Sequence, residues 1–321
     1  VNPRALIVGV TGQDGAYLAR HLLALGYEVN GAARHVTGPA LERLERLGVR
    51  ERVRLHALSL PDAEGARALV ERLRPTELYG LGGQTSVGAS FLDPEGTHRS
   101  VGQGTLDLLE AVRLTGSATR VYTACSSEMF GERGAAPLNE EAPLQPLSPY
   151  GEAKVLALQH TRHLRRAYGL YACAGILFNH ESPLRPEYFV TRKVVRAACR
   201  IAAGERTPLT LGDLSIRRDW GWAPEYVEAM HAMLQLAEPQ DFVVATGRQH
   251  SLEDFVAQAF ACVGLSWRAH VISDPALFRP REIRANVGDP SRAASILGWR
   301  ARTGFSQLVE RLVAAERGGE V

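Results

Sequence analysis

Lysine is nearly missing from this chain. Of 37 Lys and Arg residues only Lys154 and Lys193 are lysines, which leaves 35 arginines. Arginine serves at every other basic position, so these two sites are where a compact ammonium with an easily shifted pKa matters. Cysteine is scarce too: Cys125, Cys173, Cys199 and Cys262 stand far apart and in no metal-ligand spacing. They read as small buried apolar side chains in a reducing compartment, and no metal is expected. No apolar run approaches the roughly 20 residues of a membrane-spanning helix. The opening "VNPRALIVGV" enters a strand-like run without the layout of a signal peptide. The formal net charge is only +2, so there is no polybasic footprint for nucleic acid or an acidic membrane surface. These absences point to a soluble cytoplasmic protein. At 321 residues it suits one large or two intimately packed domains.

Short apolar runs alternate with amphipathic stretches through the first half. Strands are expected at 5–10, 27–33, 52–58, 77–83, 119–125 and 170–178. Helices are expected at 15–26, 39–48, 61–74, 104–116 and 150–168. Apolar strands alternating with helices predict an α/β fold, a doubly wound parallel sheet of Rossmann type with helices on both faces. Beyond residue 179 the pattern loosens into polar loops such as "NHESPLRPEYF" and "GDLSIRRDWGWAPE". Residues 1–178 are therefore expected to bind a nucleotide cofactor. Residues 179–321 are expected mainly to grip substrate, with 217–247 and 286–298 packing back onto the first part.

Between the first strand and first helix, "GVTGQDG" places Gly9, Gly12 and Gly15. Such a turn lets backbone approach a pyrophosphate and points free N–H groups of a helix N-terminus at it. The segment after the second strand, "GAARHVTG", has no carboxylate to hold a ribose 2′-hydroxyl and has Arg34 where a 2′-phosphate would sit. That favours NADP as the cofactor.

"SPYGEAK" carries Tyr150 and Lys154 four residues apart, on one helix face. A free tyrosine, with a pKa near 10, is too weak a base near neutral pH, and a nearby ammonium favours its phenolate. The same ammonium can hold the cofactor ribose. The fifth strand ends in "ACSSEMFG", where Ser126 can hydrogen-bond the reacting oxygen alongside Tyr150. Glu128 adds an acid–base group that a simple alcohol dehydrogenase does not need.

The GxxGxxG turn, followed about 140 residues later by YxxxK, is typical of short-chain dehydrogenase/reductases. Within that superfamily the chain closely resembles the GDP-mannose 4,6-dehydratase family over nearly its whole length. The stretches that carry the likeness are "TGQDGAYLA", "SSEMFG", "SPYGEAK", "GILFNHESPLR", "FVTRK", "RDWGWAPEYVEAM", "VVATG" and "FRPREI". The resemblance implies that Tyr150 takes the proton of the sugar 4-hydroxyl while C4 gives its hydride to NADP+. Ser126 stands where the family usually has threonine. Glu128 then removes the acidified C5 proton and helps the 6-hydroxyl leave as water, and the hydride returns to C6. The product is GDP-4-keto-6-deoxy-mannose. The resemblance also places Thr11, Gln13, Asp14, Leu81, His180 and Arg185 at the cofactor, beside the three glycines, Arg34, Tyr150 and Lys154. It puts Asn179, Val190, Lys193, Arg218, Arg279 and Glu282 at the GDP-sugar, and it implies a homodimer or homotetramer.

Several positions depart from the family pattern. Ser59 replaces an aspartate, Gly82-Gly83 an Ala-Ala pair, Gly96 a tyrosine, His35 a second arginine and Trp222 a smaller or polar ring. Most of these cluster where the cofactor is expected. Two alternatives share Tyr150 and Lys154: a reductase of GDP-4-keto-6-deoxy-sugars, which has no need of Glu128, and a non-catalytic NADP sensor, which has no need of any of the three.

Overall fold

Six apolar runs of the first half become six parallel strands: β1 (Arg4–Val8), β2 (Glu28–Ala33), β3 (Val53–Ala57), β4 (Glu77–Gly80), β5 (Arg120–Ser126) and β6 (Ala172–Leu177). The computed structural model describes residues 2–278 and 281–319. A seventh strand, β7 (Phe242–Val244), pairs parallel with β6 and gives the order β7-β6-β5-β4-β1-β2-β3. The inner strands are buried on both faces, β6 at every residue, which is why they read as unbroken apolar runs rather than as alternation. The order reverses between β1 and β4. In open sheets of this kind ligands bind at such a switch point, beyond the carboxyl ends of the strands.

Helices cover both faces. α1 (Gln13–Ala24) buries Tyr17, Leu18 and Leu22 on one face, in a core shared with a helix from far along the chain, α6 (Ala223–Leu234). α2 (Ala63–Leu73) and α3 (Gly104–Leu114) bury Leu69, Val70, Leu108 and Leu109 on the other. α4 (Pro149–Tyr168) starts at Ser148, whose hydroxyl accepts from Gly151 N at 3.1 Å, and has Pro149 in its first turn. It stops at Gly169, which has φ +66°.

Two segments differ from expectation. The helix expected at 39–48 is a 3₁₀ turn, Gly38–Leu41, followed by one short helical stretch, Glu42–Arg46; Gly38 takes φ +58° and Pro39 starts the turn. The polar stretch before α3, left unassigned from sequence, holds two short helices, Val87–Leu92 and Pro94–Thr97. They are capped by Ser86 and Asp93, and wider turns, His98–Gln103, lead from them into α3.

After β6 the chain builds a second core. α5 (Val190–Ala202), α7 (Leu252–Ala261) and α8 (Phe305–Glu316) enclose Val194, Trp220, Phe255, Phe260 and Val309. Short strand pairs flank it: Asn179–Glu181 with Trp220–Trp222, and Leu209–Leu211 with Val271–Ser273. The fully buried Asp219 ties this region to the sheet edge, accepting from Thr246 N, Gly247 N and Gly288 N at 2.9, 2.9 and 3.3 Å. Burial pushes its carboxyl up to about 6 against the pull of those donors.

Candidate active site

The glycine turn has to be glycine. Gly9 sits at φ +93°, and a Cβ there would lie 2.8 Å from the backbone nitrogen of Gly82. A Cβ on Gly15 would run into the Gly9 carbonyl. α1 then begins at Gly12 with no side chain capping it, which leaves its first-turn N–H groups to an anion. Bare backbone on one side and uncapped donors on the other fit a dinucleotide pyrophosphate. Gly83, one of the departures from the family pattern, has φ +120°, a conformation that alanine resists. Arg34 and His35 are exposed at the end of β2.

Asp14, in the first turn of α1, accepts from His180 Nε2 at 2.9 Å and from Gln13 Nε2 at 3.0 Å. His180 Nδ1 lies 2.7 Å from the Phe178 carbonyl, and the ring stacks on Tyr226 with centroids 4.5 Å apart. With an acceptor at each nitrogen, both must donate, so the ring is an imidazolium. His180 is raised above its ordinary pKa, Asp14 outweighing the burial that opposes it. Despite its own burial, Asp14 is lowered to about 2 by His180. Beside them Arg185 Nε stands 3.3 Å from Glu181 Oε2, which also accepts from Thr191 Oγ1 at 2.7 Å.

Ser126 ends β5, and its hydroxyl accepts from Glu128 N at 3.3 Å at the head of the turn Ser127–Phe130. Tyr150 and Lys154, on the first turns of α4, are 8% and 7% exposed, so both polar heads act out of bulk water. Lys154 Nζ donates to the Ala124 carbonyl at 2.6 Å and stands 5.7 Å from the Tyr150 ring centroid. The glycine of "SPYGEAK" has its own reason: a Cβ on Gly151 would sit 2.8 Å from the Glu128 carbonyl, so α4 packs directly on the Glu128 turn. The reading that Lys154 favours the Tyr150 phenolate meets a stronger opposing influence. Burial drives the phenol well up, a hydrogen bond with Ser126 works against that, and the charge of Glu128 adds to it. Burial likewise lowers Lys154.

These groups line a cavity of about 670 Å³ between the strand ends and the second core. It gathers all four expected catalytic residues, Ser126, Glu128, Tyr150 and Lys154. Of the expected cofactor residues it gathers Asp14, Leu81, His180 and Arg185. Of the expected sugar-nucleotide residues it gathers Asn179, Val190, Lys193, Arg218 and Glu282. Gly9, Thr11, Gly12, Gln13, Gly15 and Arg34 lie outside this lining, at the glycine turn and the β2 end. Arg279 lies outside the described residues. Arg218 and Glu282, read singly as nucleotide contacts, pair with each other at 2.6 Å, and Arg218 also donates to the Ile283 carbonyl at 2.7 Å.

Sequence reasoning passed over Thr85, Glu181, Tyr188, Asp213, Phe278 and Arg284, which also line the cavity. Thr85 and Glu181 sit inside stretches already singled out, "LGGQTS" and "NHESP". Glu181 and Asp213 stand at or just past a strand's carboxyl end, which was the available signal; Tyr188, Phe278 and Arg284 carried none.

The model of the GDP-mannose 4,6 dehydratase family matches residues 6–312. GDP-mannose 4,6 dehydratase 1 of Arabidopsis thaliana is 45% identical over 98% of this chain and 90% of its own length. The chain belongs to the GDP-mannose 4,6-dehydratase family. The Homo sapiens GDP-mannose 4,6 dehydratase is 40% identical over 97% of this chain and 91% of its own length. Among solved structures, a Thermus thermophilus UDP-glucose 4-epimerase in complex with NAD superposes with a TM-score of 0.85. It is 26% identical and covers 98% of this chain and 99% of that one. The stretches that marked the GDP-mannose 4,6-dehydratase family in the sequence, "SSEMFG", "SPYGEAK" and "NHESP", thus meet in one cavity.

Proposed function

We propose that this protein converts GDP-mannose to GDP-4-keto-6-deoxy-mannose and water. The observation that carries the reading is the convergence of Ser126, Glu128, Tyr150 and Lys154 on one cavity in a chain of this family. Tyr150 takes the proton of the sugar 4-hydroxyl, with Ser126 hydrogen-bonded to the same oxygen. Lys154 holds the cofactor ribose, and its charge offsets part of the burial that opposes the phenolate form in which Tyr150 accepts that proton. Glu128 removes the C5 proton once the 4-ketone has acidified it, then protonates the departing 6-hydroxyl. When bound, the nicotinamide supplies a reversible hydride acceptor, so the reaction is redox-neutral overall.

The turn from Gly9 to Gly15, including Thr11, Gln13 and Asp14, would hold the cofactor pyrophosphate, with Leu81, His180 and Arg185 near the nicotinamide half. Arg34 favours NADP over NAD. Lys193, Arg218, Arg279 and Glu282 would hold the GDP moiety, with Asn179 and Val190 beside the sugar. Residues 1–178 then serve the cofactor and 179–321 mainly the substrate, in a cytoplasmic homodimer or homotetramer. Among the described residues, no helix is long and apolar enough to cross a membrane.

The test is incubation with GDP-mannose and a trace of NADP+, read by mass spectrometry. Loss of one water without net NADPH is the expected result. Untouched substrate, with the protein folded and cofactor bound, would overturn the assignment. The 4-keto-sugar reductase reading gains nothing from the site, because it leaves Glu128 without a task.

A further inference from the structure

We propose that Asp213 reads the guanine base of the substrate, accepting from its N1–H and its exocyclic amino group on a ledge shared with Leu277 and Phe278. This rests on the GDP-sugar reading above and adds the residue that would choose the base.

The cavity has two unlike walls. One is the sheet wall, where Ser126, Tyr150 and Lys154 carry the chemistry. The other belongs to the second core and is built on the pair Leu209–Leu211 and Val271–Ser273. Past the pair, Gly212–Asp213 and Pro275–Phe278 run side by side. A Cβ on Gly212 would stand only 3.0 Å from the Leu277 carbonyl, and Ser273 Oγ donates to the Gly212 carbonyl at 2.9 Å. The cations suited to a diphosphate, Lys193 and Arg218, also come from this second region. A sugar nucleotide with its hexose at Tyr150 must therefore lay its diphosphate and base along that wall. There Leu277 and Phe278, 50% and 48% exposed, offer the apolar surface that a planar base covers.

Five carboxylates line the cavity: Asp14, Glu128, Glu181, Asp213 and Glu282. Asp14 is paired with His180, Glu181 with Arg185 and Glu282 with Arg218. Glu128 stands beside Ser126 at the reacting end. Asp213 makes no ion pair among the described residues, though the charge of Arg284, also on the cavity wall, reaches it. Its Oδ1 takes both Ser215 donors, N at 2.8 Å and Oγ at 2.6 Å, which fixes the carboxyl group. Those bonds, with a smaller contribution from the charge of Arg284, hold it below the usual carboxylate range. Oδ2 has no hydrogen-bond partner among the described residues.

A carboxylate facing an anionic substrate is repelled unless it meets donors. Guanine offers two adjacent donors on one edge. Adenine presents an acceptor and a donor there, and uracil a donor between two acceptors. A fixed, ionised acceptor on an apolar ledge therefore selects guanine.

The test is calorimetric titration of the cofactor-loaded enzyme with GDP and with IDP, which lacks the exocyclic amine. Wild type should prefer GDP by about 10- to 100-fold, the worth of a hydrogen bond to a charged acceptor. In Asp213→Ala the ratio should fall to within about threefold, chiefly by weakening GDP. Asp213→Asn, which keeps an oxygen for Ser215, guards against a folding defect and should lose part of the preference. An unchanged ratio in the variants would overturn the proposal. So would an equal loss for both nucleotides, the mark of a ribose contact, or a wild type indifferent to the amine. Dehydration of GDP-mannose by wild type is scored separately, so an active enzyme with no GDP preference sinks only the base-reading role.

Discussion

His180 and Asp14, 166 residues apart, meet at 2.9 Å and tie the first turn of the glycine-rich helix to the strand that follows β6. The pair links stability to pH in a definite direction. Asp14, lowered from 3.8 to about 2, contributes stability that is complete above its unfolded pKa and fades as pH falls toward 2. His180, raised above 6.5, contributes stability that is complete below 6.5 and fades as pH climbs through its raised value. The two overlap fully between about pH 4 and 6.5. The gap in urea midpoint between wild type and His180→Asn should be widest in that window and shrink in alkali. A gap that does not change with pH would mean the pair is not charged.

Lys154→Arg tests why lysine survives here. The ammonium is buried, bonded to the Ala124 carbonyl and close under the Tyr150 ring. A planar guanidinium cannot reproduce that geometry and cannot shift its pKa. Turnover should fall by about 10²- to 10⁴-fold, the usual weight of an acid–base group, while the melting temperature changes little. Near-normal turnover would make the scarcity of lysine irrelevant to the chemistry.

Glu128→Gln should separate the two halves of the reaction. On the proposed mechanism, proton removal from the 4-hydroxyl needs Tyr150, Ser126 and Lys154, whereas water loss needs Glu128. With NADP+ on the enzyme, the variant should develop NADPH absorbance up to the enzyme concentration while mass spectrometry finds no dehydrated product. If dehydration proceeds at the wild-type rate, another group is the acid–base catalyst.

Gly151→Ala strikes the same carboxylate indirectly. The new Cβ would meet the Glu128 carbonyl at 2.8 Å and the Pro146 side chain at 2.9 Å. We expect a loss of about 1–3 kcal/mol in stability from overpacking, with kcat falling more than KM rises. Gly88→Ala is the control, because its nearest neighbour would be Ser86 Oγ at 3.9 Å. It should be neutral or stabilise by about 0.5–1 kcal/mol.

Arg34→Ala addresses the cofactor. Arg34 is exposed at the end of β2. Its loss should weaken NADP by about tenfold or more, the worth of a charge-assisted bond, and leave NAD nearly unchanged. Fluorescence titration with each cofactor reads the ratio, and an equal effect on both would remove Arg34 from the 2′-phosphate site.

The inner strands were legible in the sequence because each is an apolar run buried on both faces, as in Ala172–Leu177. The edge strand Val53–Ala57, largely open to solvent, was legible from its position between two helical stretches. Phe242–Val244 was not assigned as a strand: three residues carry no period, and only pairing with β6 makes them one. That Ser126, Glu128, Tyr150 and Lys154 would meet was legible because Ser126 and Glu128 share a strand end, and Tyr150 and Lys154 a helix face. The pairings His180–Asp14 and Arg218–Glu282 were not, because a polar residue's partner is set by tertiary folding and leaves no local signal. Asp213 was hidden for a related reason. Its bonds to Ser215 look like an ordinary turn until the cavity beside it is seen.

The edge strand Phe242–Val244 and the helix Ala223–Leu234 come from beyond residue 179, yet they complete the sheet and cover α1. The chain therefore does not consist of two modules that could be exchanged. A fragment ending at residue 178 would leave β6 with an unpaired edge and one face of the sheet bare, a template for aggregation. Recombination between relatives that cut the chain there would fail for the same reason. The parts of the chain before and after residue 178 have to be inherited, and folded, together.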